Sequence, residues 1–171
     1  MIIMATQTIW ISAACAVLLL CGAAHGQSDC PTGWNVFNNR CFKLVTYHAT
    51  FHKAQEACEF ENSHLASVHS AAENNFIHGL VRATGFYAQG LWIGGSDDGS
   101  EGVWYWIDGS PFNFADWSPG QPNNFGDEDC LMMSPYDHLR WKDLRCDFAM
   151  PFVCSTRSHK PQMTDVISCK P

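Results

Sequence analysis

The chain has 171 residues, 13% of them aromatic, and a formal net charge of -7 from 10 Lys and Arg against 17 Asp and Glu. That balance argues against binding to a phosphate backbone, which needs clustered cations, so no nucleic acid partner is expected. The length allows one ordinary domain behind a targeting segment, and the acidic surplus suits a cation site built from carboxylates.

Residues 1–26 contain no Asp, Glu, Lys or Arg, and residues 9–24 read IWISAACAVLLLCGAA. The run ends in small residues, and Ala24, His25 and Gly26 suit a cleavage site that leaves Gln27 as the new N-terminus. This is the pattern of a secretory signal peptide, although the basic n-region is missing. The rival, a membrane anchor, needs about 20 apolar residues, and no Lys or Arg flanks the run. The expected organisation is a signal peptide at 1–26, a short segment at 27–29, one domain at 30–155 and a polar tail at 156–171. Nothing later in the chain is apolar enough to insert into a membrane. There is no N-x-[ST] sequon.

Of nine cysteines, Cys15 and Cys21 leave with the signal. Cys30, Cys41, Cys58, Cys130, Cys146, Cys154 and Cys169 remain, and an oxidising compartment makes them mostly disulfides. Spacing alone does not choose the pairing, and an odd number leaves one over.

Two helices are predicted. Phe51, Ala54, Ala57 and Cys58 share one face of a helix at about 50–61, which points Cys58 inward. Ser70 and Glu73 form a capping box, in which the hydroxyl takes an early N–H and the carboxylate reaches back to the cap. Phe76, Ile77, Leu80 and Val81 follow as an apolar stripe, so this helix is predicted over about 70–84. Beyond Leu91 the pattern changes to short apolar runs at 91–93, 103–106, 131–133 and 152–154, separated by Gly, Asp, Asn, Ser and Pro. These read as short strands. Helices first and strands later predict an α+β fold. Between them, 108–129 is one long irregular stretch with Gly109, Pro111, Pro119, Gly120, Pro122 and Gly126, and such a loop in a compact domain is usually functional.

That loop concentrates oxygen donors: Gln121, Asn123, Asn124, Asp127, Glu128 and Asp129, with Asp97, Asp98 and Glu101 upstream and Asp143 downstream. Calcium takes such oxygens, whereas a transition metal needs His or Cys at tight spacing. The plainer alternative is a solvated acidic loop. No H-E-x-x-H, G-x-S-x-G or phosphate-binding glycine loop is present, and the histidines read as surface residues, so an enzyme is not expected.

Six motifs in order resemble the C-type lectin family over 30–154. They are Cys30-Pro31-Thr32-Gly33-Trp34, Leu91-Trp92-Ile93-Gly94-Gly95 (with Gly95 where Leu is typical), Gln121-Pro122-Asn123, Glu128-Asp129-Cys130, Trp141-Lys142-Asp143 and Pro151-Phe152-Val153-Cys154. The resemblance implies a C-type lectin-like fold: two helices, short antiparallel strands and a long calcium- and sugar-binding loop. It implies disulfides Cys30–Cys41, Cys58–Cys154 and Cys130–Cys146, which leaves Cys169 to link two chains or stay unpaired. It also implies a cis peptide bond before Pro122, turning the carbonyls of Gln121 and Asn123 to one side.

By the same resemblance, a primary calcium site falls on Gln121, Asn123, Glu128 and Asp143, with Lys142 at a fifth place where the family carries Asn. Lysine has only donors and cannot coordinate calcium. Its charge offsets one of the two carboxylates there, and its head either occupies the site or reaches out to solvent. An auxiliary site maps to Asp97, Glu101, Asn124, Glu128 and Asp129. One calcium ion is expected, with the second open. Gln-Pro-Asn has an amide at both ends and matches neither the mannose-type nor the galactose-type tripeptide. Trp117 either stacks on a sugar or packs under the loop; burial is the usual fate of Trp. Trp92, Trp104 and Trp106 are expected in the core.

The implied function is a secreted lectin that recognises glycans or glycoproteins on cells or microbes through a calcium bridge. The alternative, favoured by Lys142, is a lectin-like module that binds a protein, mineral or ice surface without sugar.

Overall fold

The computed structural model describes residues 30–85, 89–134, 137–138 and 140–158. The expected signal segment and Cys169 lie outside the described residues. The elements in chain order are β1 (Asn35–Phe37), β2 (Arg40–Ala49), α1 (Phe51–Phe60), β3 (His64–Leu65), α2 (Ala71–Ala83), β4 (Leu91–Ser96), β5 (Tyr105–Trp106), β6 (Cys130–Ser134), β7 (Arg140–Leu144) and β8 (Met150–Arg157).

Both helices fall where their apolar spacing places them. Phe51, Ala54 and Cys58 are the buried face of α1. Ser70 caps α2 by accepting the Glu73 N–H at 3.2 Å. The reciprocal half of the expected capping box is different. Glu73 Oε2 accepts the His69 N–H at 2.7 Å, one residue before the cap, and Oε1 faces Arg40 Nη1 at 2.9 Å. A partly buried cation brought from β2 competes for the carboxylate, and no local motif announces it.

The strands do not all follow the helices. β1 and β2 precede them, joined by a two-residue turn in which Asn38 and Asn39 have φ of 46° and 60°. Asn tolerates that left-handed backbone, and two such residues in succession suit a tight hairpin. β2 lacks a clean two-residue period because it is covered unevenly: Cys41 and Phe42 are both buried, whereas 46–48 are exposed. Within the predicted run 103–106, only Tyr105–Trp106 pairs with β4.

The sheet runs β1-β2-β8-β4-β6-β7, with β3 on β8 and β5 on β4. The pairs are antiparallel except β4 with β8, which run parallel at Trp92 and Phe152. β4 is buried throughout. Leu91 and Ile93 enter a cluster with Phe42, Ile77, Val81, Leu131, Met133, Trp141 and Val153, while Trp92 enters another with Phe51, Ala54, Cys58, Leu65 and Phe152. A strand covered on both faces reads as a continuous apolar run, as Leu91-Trp92-Ile93 does.

Gly94 and Gly95 follow because neither face has room. A Cβ at Gly94 would stand 2.6 Å from the Leu65 carbonyl oxygen, and one at Gly95 would stand 2.5 Å from Leu131 Cδ1. Leu131 fills the volume that the usual Leu at position 95 would need. Three disulfides close the domain: Cys30–Cys41, Cys58–Cys154 and Cys130–Cys146. The second joins α1 to β8 across 96 residues. Constraining the unfolded chain in this way stabilises a small domain by about 2–5 kcal/mol.

Candidate functional site

The long loop has little regular structure to hold it, and aromatic side chains do so instead. Phe112 lies 4.9 Å from Trp106, Phe114 5.5 Å from Trp141, and Trp117 4.8 Å from Trp104 and 5.9 Å from Trp141, centroid to centroid. Backbone bonds add to this: Ser118 N–H donates to the Trp141 carbonyl and Trp141 N–H to the Asp116 carbonyl, both at 2.8 Å. Trp117 therefore packs under the loop. Trp92 and Trp106 are core residues, and Trp104 is partly buried against the core.

The base of the loop is tied by Asp108, whose carboxylate accepts from Ser67 Oγ, Ser110 Oγ and Ser110 N–H. Burial pushes this carboxyl up, but those hydrogen bonds and the Arg40 charge outweigh it and hold the group below its ordinary value.

At the tip, the Gln121–Pro122 bond is cis, and Asn124, Gly126 and Asp127 take φ of 46°, 86° and 71°. The turn is built around one side chain. Asp143 projects from β7, opposite Leu131 of β6, and is 2% exposed. Its Oδ2 accepts the backbone N–H of Asn123 at 2.7 Å and of Asn124 at 2.6 Å. Asn123 Oδ1 and Glu128 Oε2 both accept the Phe125 N–H, at 2.9 and 3.3 Å. The structure thus brings Asn123, Asn124, Glu128 and Asp143 together, with Glu101 reaching the cluster through Asn124.

Lys142 is placed apart from Asp143. Pleat alternation sets Trp141 and Asp143 on one face of β7 and Lys142 on the other, opposite Met132. Among the described residues Lys142 makes no ion pair, and in particular none with Glu128 or Asp143.

Two buried acceptors in this cluster have no partner: Gln121 Oε1 and Asp143 Oδ1. Unpaired buried oxygens are costly, and a hard cation satisfies them. The primary donor set, two carboxylates and two amide oxygens, therefore fits calcium in type. The auxiliary set differs at its amide. Asp97 repeats the Asp143 pattern, with Oδ1 buried and unpartnered and Oδ2 accepting the Gly102 N–H at 2.8 Å. Both polar side-chain atoms of Asn124 are already engaged, one by Glu101 and one by the Glu128 N–H. Among the described residues no three His, Cys, Asp or Glu side chains are gathered so as to hold a metal.

The acidic groups repel one another. The carboxyls of Asp97, Glu101, Glu128 and Asp129 are all pushed above their ordinary values, by desolvation first and then, in each case, by neighbouring carboxylates.

Sequence reasoning missed Phe125. It follows the tripeptide by two residues, is 83% exposed, and is an apolar side chain among polar ones. That isolation was the available signal. A Ser67–His69–Asn113 row also appears, with contacts of 3.1 and 3.0 Å. Ser67 is fully buried and donates its proton to Asp108, so it is not placed as a nucleophile.

A two-helix, disulfide-closed fold with an acidic loop seated on a tryptophan cluster defines the class, and the comparisons agree. The family model for the lectin C-type domain matches residues 47–156, and the chain belongs to that family. It is 39% identical over 131 residues to ladderlectin of Oncorhynchus mykiss, covering 75% of this chain and 68% of that protein. It is 38% identical over 159 residues to the alpha-N-acetylgalactosamine-specific lectin of Patiria pectinifera, covering 83% and 94%. Among solved structures, a calcium-independent type II antifreeze protein superposes with a TM-score of 0.71 at 31% identity, covering 79% of this chain and 99% of that one. No helix among the described residues is long and apolar enough to cross a membrane.

Proposed function

We propose that this protein is a secreted, non-enzymatic lectin that binds glycans through calcium held by Gln121, Asn123, Glu128 and Asp143. The observation that carries this reading is a pair of buried, unpartnered oxygens: Gln121 Oε1, in the loop that also holds Glu128, and Asp143 Oδ1, on the β7 strand to which the tip of that loop is bonded. Calcium there would supply the positive centre for two vicinal sugar hydroxyls. The chain's own groups orient the sugar: Glu128 accepts from a hydroxyl, and the amides of Gln121 and Asn123 can each donate or accept. Phe125 offers an exposed ring to the apolar face of the sugar. Lys142, on the other face of β7, leaves the four remaining donors in place.

The same reading takes 1–26 as the signal for secretion, 30–155 as the functional unit and Cys169 as a link between two chains. Non-reducing electrophoresis of the secreted protein reads the last point directly.

The test is retention on immobilised N-acetylgalactosamine, galactose and mannose. The Patiria lectin makes the first the leading probe. Retention in calcium with release by chelator is expected. Passage through every column in either condition overturns the reading. It then favours a calcium-free surface binder, for which the likeness to the antifreeze protein is the specific support.

Calcium should also raise Tm at pH 7, by an amount equivalent to about 2.7 kcal/mol at roughly 100 times Kd. The raised carboxyls fix the sign of the pH dependence. They bind protons more tightly in the fold than unfolded, so their repulsion opposes folding at neutral pH and is relieved as pH falls through their raised values. Protons and calcium compete for the same oxygens, so the calcium increment should shrink as pH approaches the ordinary carboxylate range of about 4. An increment that does not change from pH 7 to pH 4 counts against carboxylate ligation.

A further inference from the structure

We infer that Asn124 is a neutral brace that holds the recognition loop in shape without a second cation. The inference deepens the reading above and rests on its placement of the site in this loop.

The Asn124 side chain is fully committed within the protein. Its Oδ1 accepts the Glu128 backbone N–H at 2.8 Å, and its Nδ2 donates to Glu101 Oε2 at 2.6 Å. Oxygen and nitrogen of an amide are commonly ambiguous, but here they are not. A backbone N–H can only donate, and an ionised carboxylate can only accept. One orientation satisfies both partners, so each polar end of Asn124 is committed.

Those two bonds span the loop. Glu101 sits between β4 and β5, and Glu128 sits two residues before β6. Asn124 thus ties the outer carboxylate to the returning backbone, across ground where four carboxyls repel one another. A cation in the auxiliary position would draw Glu101, Glu128, Asp129 and Asp97 together. An amide does part of that work without charge, donating to one carboxylate while its oxygen fixes the backbone of the next. An aspartate at 124 could keep the bond to the Glu128 N–H, but its second oxygen would meet Glu101 Oε2, and only a cation or a proton would relieve the contact.

The backbone agrees. Asn124 has φ of 46°, a left-handed conformation that Asn adopts more readily than most residues. Its own N–H is anchored on Asp143 at 2.6 Å. Side chain and main chain together tie Asn124 to Glu101, Glu128 and Asp143. It is a positioning residue that acts through the loop.

The test reads loop opening, not sugar binding. The Phe125 side chain is exposed, but chymotrypsin needs the flanking backbone extended and the Phe125 N–H is held by Asn123 and Glu128, so the rate at the Phe125–Gly126 bond should follow the open population. The full-length secreted protein, Asn124→Ala and Asn124→Asp are digested in chelator, reduced, and scored for that bond by mass. Near-UV circular dichroism and Tm show whether the disulfide-linked core is intact in each. The natural chain should be cut at least about tenfold more slowly in chelator than either variant. Added calcium should protect Asn124→Asp, which regains a carboxylate, far more than Asn124→Ala. If the natural chain in chelator is cut as fast as Asn124→Ala, the brace is refuted. The same holds if Asn124→Asp is as well protected in chelator as the natural chain. A natural chain that is protected in chelator but never retained on sugar refutes the lectin reading and leaves the brace standing.

Discussion

Replacing Asp143 by alanine should abolish calcium-dependent retention on every sugar and release the tip of the loop. One carboxylate does both jobs: Oδ2 holds the N–H groups of Asn123 and Asn124, and Oδ1 is buried without a partner. Hydrogen bonds to a charged acceptor contribute about 1.5–3 kcal/mol each, so the loop loses its principal anchor while the disulfide-closed sheet remains. Asp143→Asn separates the roles. Its amide oxygen can still accept from the backbone, but the ligand charge is gone. The asparagine variant should therefore keep slow proteolysis at the loop and lose calcium in a calorimetric titration, whereas the alanine variant loses both. If Asp143→Asn binds calcium as the natural chain does, the carboxylate is not a ligand.

Replacing Arg40 by alanine should cost more than any surface change, about 3–5 kcal/mol, because it leaves Glu73 as a buried charge without its partner. Arg40 Nη1 pairs with Glu73 at 2.9 Å and reaches the Ser67 carbonyl at 3.2 Å, while Nη2 donates to Ser67 Oγ and Ser155 Oγ at 2.8 and 2.9 Å. β2, α2, β8 and the segment leading into α2 are tied at one point. The guanidinium also lies 4.9 Å from the centre of the Phe42 ring. Urea denaturation should show the loss. An Arg40→Met, Glu73→Leu pair should recover most of it, since removing both charges also removes the desolvation they impose. A single-variant loss below about 1 kcal/mol would mean that Glu73 is solvated in solution.

The elements that were legible share one property: their signal is local. α1 and α2 announce themselves by apolar spacing, the cap by Ser70, and β4 by a continuous apolar run that only a strand covered on both faces needs. The disulfides and the cis Gln121–Pro122 bond came from resemblance in motif order, and the structure has both. β2 was missed because its period is blurred. The reach of Glu73 to Arg40 was missed because a capping box describes only its own turn.

The site divides along the same line. The sequence, read with its family resemblance, determined the donor types: Gln121, Asn123 and Glu128 in an acidic loop and Asp143 downstream of it, with lysine where the resemblance expects an oxygen ligand. The odd cysteine count is read there as well, and the leader is an expectation from the same source. Only the tertiary structure decided how each side chain is spent. The pleat of β7 sends Lys142 and Asp143 to opposite faces. The return of the loop across β7 gives Asp143 two backbone N–H groups and gives Asn124 two partners, 23 residues before it and four after it. Phe125 became visible only as an exposed ring beside that cluster. Residue type is fixed when the chain is written, but a hydrogen bond needs a partner at about 2.9 Å, and for partners distant in sequence only the packed fold brings them within reach.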